Sequence, residues 1–85
     1  MIEYKVLVTL NVPSLENKYD VYIPVNRKIY SVIDMLKNIL YNLSQGAFNM
    51  DNVYLLYDEK TGNTYDVNSL VRDTDIRNGS TIILL

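Results

Sequence analysis

Leu70-Val71-Arg72-Asp73-Thr74-Asp75-Ile76-Arg77-Asn78-Gly79-Ser80-Thr81-Ile82-Ile83-Leu84-Leu85 is the stretch whose reading decides the fold. It parses as a short apolar anchor, a polar loop with one apolar residue at Ile76, an Asn-Gly turn and a closing strand. Asn and Gly tolerate the positive φ that tight turns demand, so the pair marks a reversal just ahead of the strand. Side chains alternate between faces along a strand. Ile82 and Leu84 therefore share one face and Ile83 and Leu85 the other. Val71, Ile76, Ile82 and Leu84 are expected in the core, with Ile83 and Leu85 looking outward.

Upstream, Ile2, Tyr4, Val6, Val8, Leu10 and Val12 alternate with Glu3, Lys5, Thr9 and Asn11. A period of two identifies a strand with one buried face. Leu7 is the exception, an apolar residue on the wet face. Pro13-Ser14-Leu15-Glu16-Asn17 breaks the pattern as a turn. Tyr19, Val21, Ile23 and Val25 then resume it against Lys18, Asp20, Tyr22 and Pro24, which predicts an antiparallel hairpin. Pro24 has no N–H to give a ladder, so this strand is expected to fade there or lie at an edge.

The period changes after Pro24. Ile29, Val32, Ile33, Leu36, Ile39, Leu40 and Leu43 recur at three- and four-residue steps, the stripe of an amphipathic helix. Ser31 followed by Asp34 has the form of a capping box with Asp in place of Glu, and Gly46 is a natural stop. The spacing predicts a helix over residues 31–44. Asn49, Asp51 and Asn52 make a polar connection; residues 53–57 read as a third strand, residues 58–63 as a turn and residues 64–67 as a short fourth strand. The order is β-β-α-β-β-β: an α+β domain with one helix across one face of a mixed sheet of four to five strands, the first and last strands adjacent and parallel. Cutting Leu36 or Ile76 to Ala in such a core removes about 2–5 kcal/mol.

Composition narrows the chemistry. The 85 residues fit a single domain spanning residues 1–85. With three Gly and two Pro and many Val, Ile, Leu and Tyr, this is a folding composition. A net charge of −2, with Arg27-Lys28 the longest basic cluster, provides no footprint for nucleic acid. Cysteine and histidine are both absent. That removes a thiolate nucleophile, sulfur ligation of metals and the one side chain that ordinarily titrates near neutrality. The start alternates like a strand instead of showing the apolar core of a signal peptide, and no apolar run reaches the roughly 20 residues of a membrane span. The expectation is a cytoplasmic protein that does not insert in a membrane.

Candidate chemical sites reduce to ordinary structure. Asp58, Glu59 and Asp66 gather near one turn, but Lys60 sits among them and the spacing misses the calcium-loop pattern. Asp73 and Asp75 form a carboxylate pair in a polar loop and are read as turn-forming residues, not as an acid–base pair. Ser31 has no histidine to act as its base. Gly62 and Gly79 are isolated and build no phosphate loop. The expectation is no catalytic residue, no metal and no cofactor.

Eight tyrosines against one phenylalanine and no tryptophan is a marked bias. Tyr4, Tyr19 and Tyr65 fall on buried-face positions and are expected at the rim of the core with their hydroxyls in water. Leu7, Tyr22, Tyr54, Leu56, Ile83 and Leu85 are placed by alternation on the sheet face away from the helix. A contiguous apolar area on an open sheet face marks a binding surface. These six are the candidate protein-binding residues.

The layout resembles the ubiquitin-like β-grasp fold over essentially the whole chain. More narrowly, it resembles the YukD/EsaB family of small bacterial proteins associated with type VII (WXG100, ESAT-6-like) secretion systems of Gram-positive bacteria. The residues that carry this resemblance are Tyr19-Asp20-Val21-Tyr22-Ile23-Pro24-Val25 leading to Ile29, then residues 71–80 and the Ile82/Leu84 strand. The turn at Asp58-Glu59-Lys60-Thr61-Gly62 is longer than in ubiquitin itself. The resemblance implies a non-catalytic adaptor whose open sheet face meets a protein partner, either a membrane-bound secretion component or a second copy. Two other readings are weighed beside it. One is a ubiquitin-like regulatory or scaffold module unconnected with secretion. The other, a conjugation or sulfur-carrier role, is disfavoured because Leu84-Leu85 stand where such proteins carry Gly-Gly.

Overall fold

A computed structural model describes residues 4–85. Met1, Ile2 and Glu3 lie outside the described residues, and with them the first inward position of the predicted strand. Strand β1 spans Lys5–Val12 and β2 spans Asn17–Pro24. They pair antiparallel from Lys5↔Pro24 to Val12↔Asn17. A short helical turn over Pro13–Leu15 joins them, closed where the Glu16 N–H donates to the Pro13 carbonyl at 3.0 Å. Helix α1 covers Ile29–Leu43, followed by β3 at Leu56–Asp58 and β4 at Thr81–Leu84. The sheet order is β2-β1-β4-β3. β1 and β4 run parallel with Leu10↔Ile82 in register, and β3 runs antiparallel to β4 with Leu56↔Leu84. This is the expected mixed sheet with one helix.

The core is the layer between α1 and the sheet. Val6, Val8, Leu10 and Val12 from β1, Ile23 from β2 and Ile82 and Leu84 from β4 meet Ile29, Val32, Ile33, Leu36 and Leu40 of α1. Val71 and Ile76 are buried as expected, anchoring the loop before β4. Two positions depart from the helix stripe: Ile39 is half-buried, and Leu43, at the last turn, is 59% exposed. The space beyond Leu40 is filled instead by Phe48, which returns under the helix end and is 1% exposed.

The helix start also differs from the expected capping box. The helix begins at Ile29 with Lys28 at its N-cap, and no side chain caps it. A helix N-terminus leaves backbone donors without intrahelical partners. Here the loop before β4 satisfies two of them: Ile29 N–H donates to the Ser69 carbonyl at 2.9 Å and Tyr30 N–H to the Val67 carbonyl at 3.0 Å. Ser31 is thus an internal helix residue. At the other end the left-handed residue that stops the helix is Gln45, at φ +55°, and not the expected glycine: Gln45 N–H donates to the Asn42 carbonyl at 3.2 Å and the following Gly46, at φ +86°, donates to the Tyr41 carbonyl at 2.8 Å.

The predicted fourth strand reduces to a bridge between Tyr57 and Thr64. Asp58 N–H donates to the Asn63 carbonyl at 2.8 Å and Tyr65 N–H to the Leu56 carbonyl at 3.0 Å. The chain then leaves the sheet. Asp66 accepts from Asn68 N–H at 2.9 Å through its carboxylate and from Ser69 N–H at 3.1 Å through its carbonyl. That turn steers residues 67–69 to the start of α1, where their carbonyls are used, so the segment serves the helix instead of lengthening the sheet. Its short contact with β3 nonetheless covers that strand's outer edge.

Candidate functional site: the open face of the sheet

Helix α1 covers one face of the sheet and leaves the other open. The pairing registers map the open face in rows. One row runs Lys18, Asn11, Ile83, Tyr57. The next runs Asp20, Thr9, Thr81, with the Thr9 hydroxyl donating to the Asp20 carboxylate at 3.2 Å. A third sets Tyr22 against Leu7. The apolar residues therefore form two islands separated by the polar Thr9–Asp20–Thr81 row.

The first island is Leu55, Tyr57, Ile83 and Leu85. Leu55 and Leu85 face each other across reciprocal backbone bonds, Leu55 N–H to the Leu85 carbonyl at 3.0 Å and Leu85 N–H to the Leu55 carbonyl at 3.2 Å. Leu85 is 58% exposed, while Leu55, Tyr57 and Ile83 are half-buried. The second island is Leu7, 38% exposed, and Tyr22, 63% exposed. Leu7 is fixed in place by the Asn-Gly turn: its N–H donates to Asn78 Oδ1 and its carbonyl accepts from Gly79 N–H, each at 2.8 Å.

Four of the six expected binding residues, Leu7, Tyr22, Ile83 and Leu85, lie on this face. Tyr54 and Leu56 do not. Leu56 is fully buried and Tyr54 is 8% exposed. The Tyr54 ring stacks on Phe48 with centroids 4.8 Å apart, and its hydroxyl donates to the Asn49 carbonyl at 2.8 Å. Residues 53–57 are all apolar, so the segment has no alternation to set its phase. Its pairing with β4 sets it instead. Leu56 stands opposite inward-facing Leu84, which turns Leu55 and Tyr57 outward; these are the two face residues that sequence reading missed.

Of the tyrosines expected at the core rim, Tyr19 and Tyr65 are half-buried, whereas Tyr4, next to the strand start, is exposed. The Tyr65 hydroxyl donates to the Asp75 carboxylate at 3.1 Å. Burial pushes the Tyr65 phenol well above the ordinary tyrosine range, helped by that hydrogen bond and by the charges of Asp75 and Asp58. Asp58 and Asp66 are engaged in turns. Asp58 accepts from Lys60 N–H at 3.0 Å and from the Thr61 hydroxyl at 3.4 Å, holding the long turn after β3. Among the described residues, no three His, Cys, Asp or Glu side chains converge to hold a metal ion. No helix among them is long and apolar enough to cross a membrane.

The fold is that of a ubiquitin-like β-grasp domain. No family model and no curated protein matches the sequence, but solved structures match the fold. The chain is similar to the ubiquitin-like domain of the Mycobacterium tuberculosis type VII secretion system protein EccD1, with a TM-score of 0.75 and 13% identity over 98% of this chain and 99% of that one. It is also similar to part of a chain in the MycP5-free ESX-5 inner membrane complex, with a TM-score of 0.71 and 10% identity over 98% of this chain and 21% of that one. A third likeness is to the ubiquitin-like domain of Arabidopsis thaliana protein At2g32350, with a TM-score of 0.68 and 20% identity over 98% of this chain and 78% of that one.

Proposed function

We propose that this chain is a non-catalytic ubiquitin-like adaptor that docks by the open face of its sheet onto a protein component of a type VII secretion system, working at the cytoplasmic side of the membrane. The observation that carries the docking is the pair of apolar islands on the uncovered face. An antiparallel or mixed sheet leaves one face to water, and that face is ordinarily polar. Leu55, Tyr57, Ile83 and Leu85 depart from that pattern as a cluster, with Leu7 and Tyr22 as a second contact point. Tyr57 and Tyr22 are of the residue type enriched among interface anchors, and the leucines and isoleucine around them make the apolar area that marks a binding surface.

What supports the secretion context is the likeness of the fold to the ubiquitin-like domain of the type VII secretion protein EccD1; the resemblance of the sequence to the YukD/EsaB family is a reading that points the same way. The occurrence of the same fold in the Arabidopsis domain favours a second reading, a ubiquitin-like module unconnected with secretion. Affinity capture of the type VII membrane assembly of the source cell separates the two. Wild-type protein is expected to retain it, and a variant carrying Ile83→Ser and Leu85→Ser, folded by circular dichroism, is expected to lose it. Capture that survives those changes overturns the open-face docking. Absence of any secretion component from the wild-type capture overturns the secretion assignment.

A further inference from the structure

The two edges of the sheet are finished differently. The β3 edge is closed by the return of the chain at residues 63–65, through Asp58 N–H to Asn63 and Tyr65 N–H to Leu56. The β2 edge, eight residues long, has only β1 as a strand partner among the described residues. An uncovered strand edge is a row of unpaired N–H and C=O groups ready to accept another strand.

Which groups are free follows from the ladder. In an antiparallel pair the residues alternate between those that bond across and those that point away. Val25 N–H donates to the Tyr4 carbonyl at 2.8 Å, so the bonded positions of the second strand are the odd ones. The outward positions are Lys18, Asp20, Tyr22 and Pro24. Lys18 N–H is already used, donating to its neighbour Asn17 Oδ1 at 2.9 Å, and Pro24 has no N–H. The open edge therefore offers two donors, Asp20 N–H and Tyr22 N–H, flanked on both sides by outward carbonyls.

We infer that a second copy of this chain pairs with β2 in antiparallel register about Val21, forming a closed two-fold dimer with a continuous eight-stranded sheet. With Val21 opposite its own counterpart, Asp20 lies opposite the second copy's Tyr22. Asp20 N–H donates to that Tyr22 carbonyl, Tyr22 N–H donates to that Asp20 carbonyl, and the symmetric pair repeats both bonds. All four free donors are used.

A shift that centres on Asp20 sets two carboxylates directly opposite, which is unfavourable. A shift that centres on Tyr22 shortens the overlap to residues 20–24, whereas the register about Val21 pairs residues 18–24 throughout. In the chosen register the Asp20 carboxylate is turned inboard by its bond to the Thr9 hydroxyl. On the helix side, half-buried Tyr19 and Val21 lie at the seam, Tyr19 opposite the buried Ile23 of the other copy.

The occupant is a second copy because the two finished ends of this edge suit a closed pair. Lys18 and Pro24 end the run of donors at either side, so long open-ended pairing is discouraged. Once two β2 strands have met, the edges left among the described residues are the two β3 edges, and each is covered by the return of its own chain at residues 63–65. Assembly stops at two. The dimer also places both open faces on the same side of one sheet, so a partner meeting the apolar islands would meet them doubled. The inference does not depend on the secretion reading.

The chain has no native cysteine, which makes the test direct. Across a non-hydrogen-bonded antiparallel pair the Cα atoms are about 4.5 Å apart, within disulfide range. A Val21→Cys variant is expected to give a disulfide-linked dimer under mild oxidation. The control, Lys18→Cys, is more exposed but places its two sulfurs six strand positions, about 20 Å, apart, and is expected to remain largely monomeric. Sedimentation equilibrium of the unmodified protein from about 10 μM to about 1 mM should show mass rising from monomer toward dimer. Tyr22→Pro removes one outward N–H without touching the β1 ladder and should hold the protein monomeric while circular dichroism shows it folded. A monomer across the whole range overturns the inference, as does cross-linking of Lys18→Cys as fast as Val21→Cys.

Discussion

Leu55 and Leu85 exchange backbone hydrogen bonds in both directions, at 3.0 and 3.2 Å, and this clasp fixes which side chains of β3 enter the core. It places Leu56 opposite Leu84 inside and leaves Leu55 outside. Leu56→Ala is therefore expected to cost about 2–5 kcal/mol, the usual range for a fully buried leucine, while Leu55→Ser stays within about 1 kcal/mol of the unmodified protein. Urea denaturation of both variants checks this. Equal costs would mean that the phase of β3 is wrong and that the outer island must be redrawn.

Ser31 separates two accounts of how α1 begins. A capping serine replaced by alanine costs about 0.5–2 kcal/mol. In this structure Ser31 lies inside the helix, and the backbone donors of Ile29 and Tyr30 go to the carbonyls of Ser69 and Val67. Ser31→Ala should then be neutral within about 0.5 kcal/mol by thermal or chemical denaturation, alanine being the better helix former. A loss above about 1 kcal/mol would restore Ser31 as a cap.

The contrast between Ser31 and Ile82 shows what the sequence could reveal. Where one face is buried and the other wet, the residues carry their own phase. The alternation in β1, β2 and β4 and the three-and-four spacing in α1 therefore placed Val8, Ile23, Leu36 and Ile82 correctly. The same logic put Leu7, Tyr22, Ile83 and Leu85 outward. It failed at residues 53–57, where five consecutive apolar residues fit either phase and a tertiary pairing decides. It failed again at Ser31, because the groups that satisfy the helix start come from carbonyls some forty residues downstream, and a backbone carbonyl leaves no trace in the residue type. Phe48 went unnoticed for a related reason, sitting in a polar connection with no periodicity to mark it.

The Asn78-Gly79 turn couples the two ends of the chain through Leu7. Gly79 adopts φ +87°, and a Cβ built there meets nothing within 4 Å. Any cost of Gly79→Ala is thus conformational, about 1–2 kcal/mol for an L-residue in the left-handed region. Asn78→Ala removes the acceptor for the exposed Leu7 N–H, for which water substitutes, and should cost about 0.5–1.5 kcal/mol. Because both residues hold the same turn, the double variant should cost less than the sum. Denaturation of the two single variants and the double variant gives the coupling, and strict additivity would show that the turn does not act as a unit.

Tyr65 gives the fold a dependence on alkaline pH. Its phenol is held protonated above the normal range by burial and by the bond to the Asp75 carboxylate. The folded state therefore keeps a proton that the unfolded chain releases at about pH 10. Below that pH both states are protonated and the contribution to stability is complete. Above it the unfolded state alone ionises, so stability falls as pH rises toward the folded value. Tyr65→Phe should lose about 0.5–1.5 kcal/mol near neutrality, the value of a typical hydrogen bond. It should also flatten the decline above about pH 10 relative to the unmodified protein. Urea denaturation at a series of pH values from 7 to 11.5 measures both effects. An identical alkaline slope in the two proteins would show that Tyr65 ionises as freely in the fold as in the open chain.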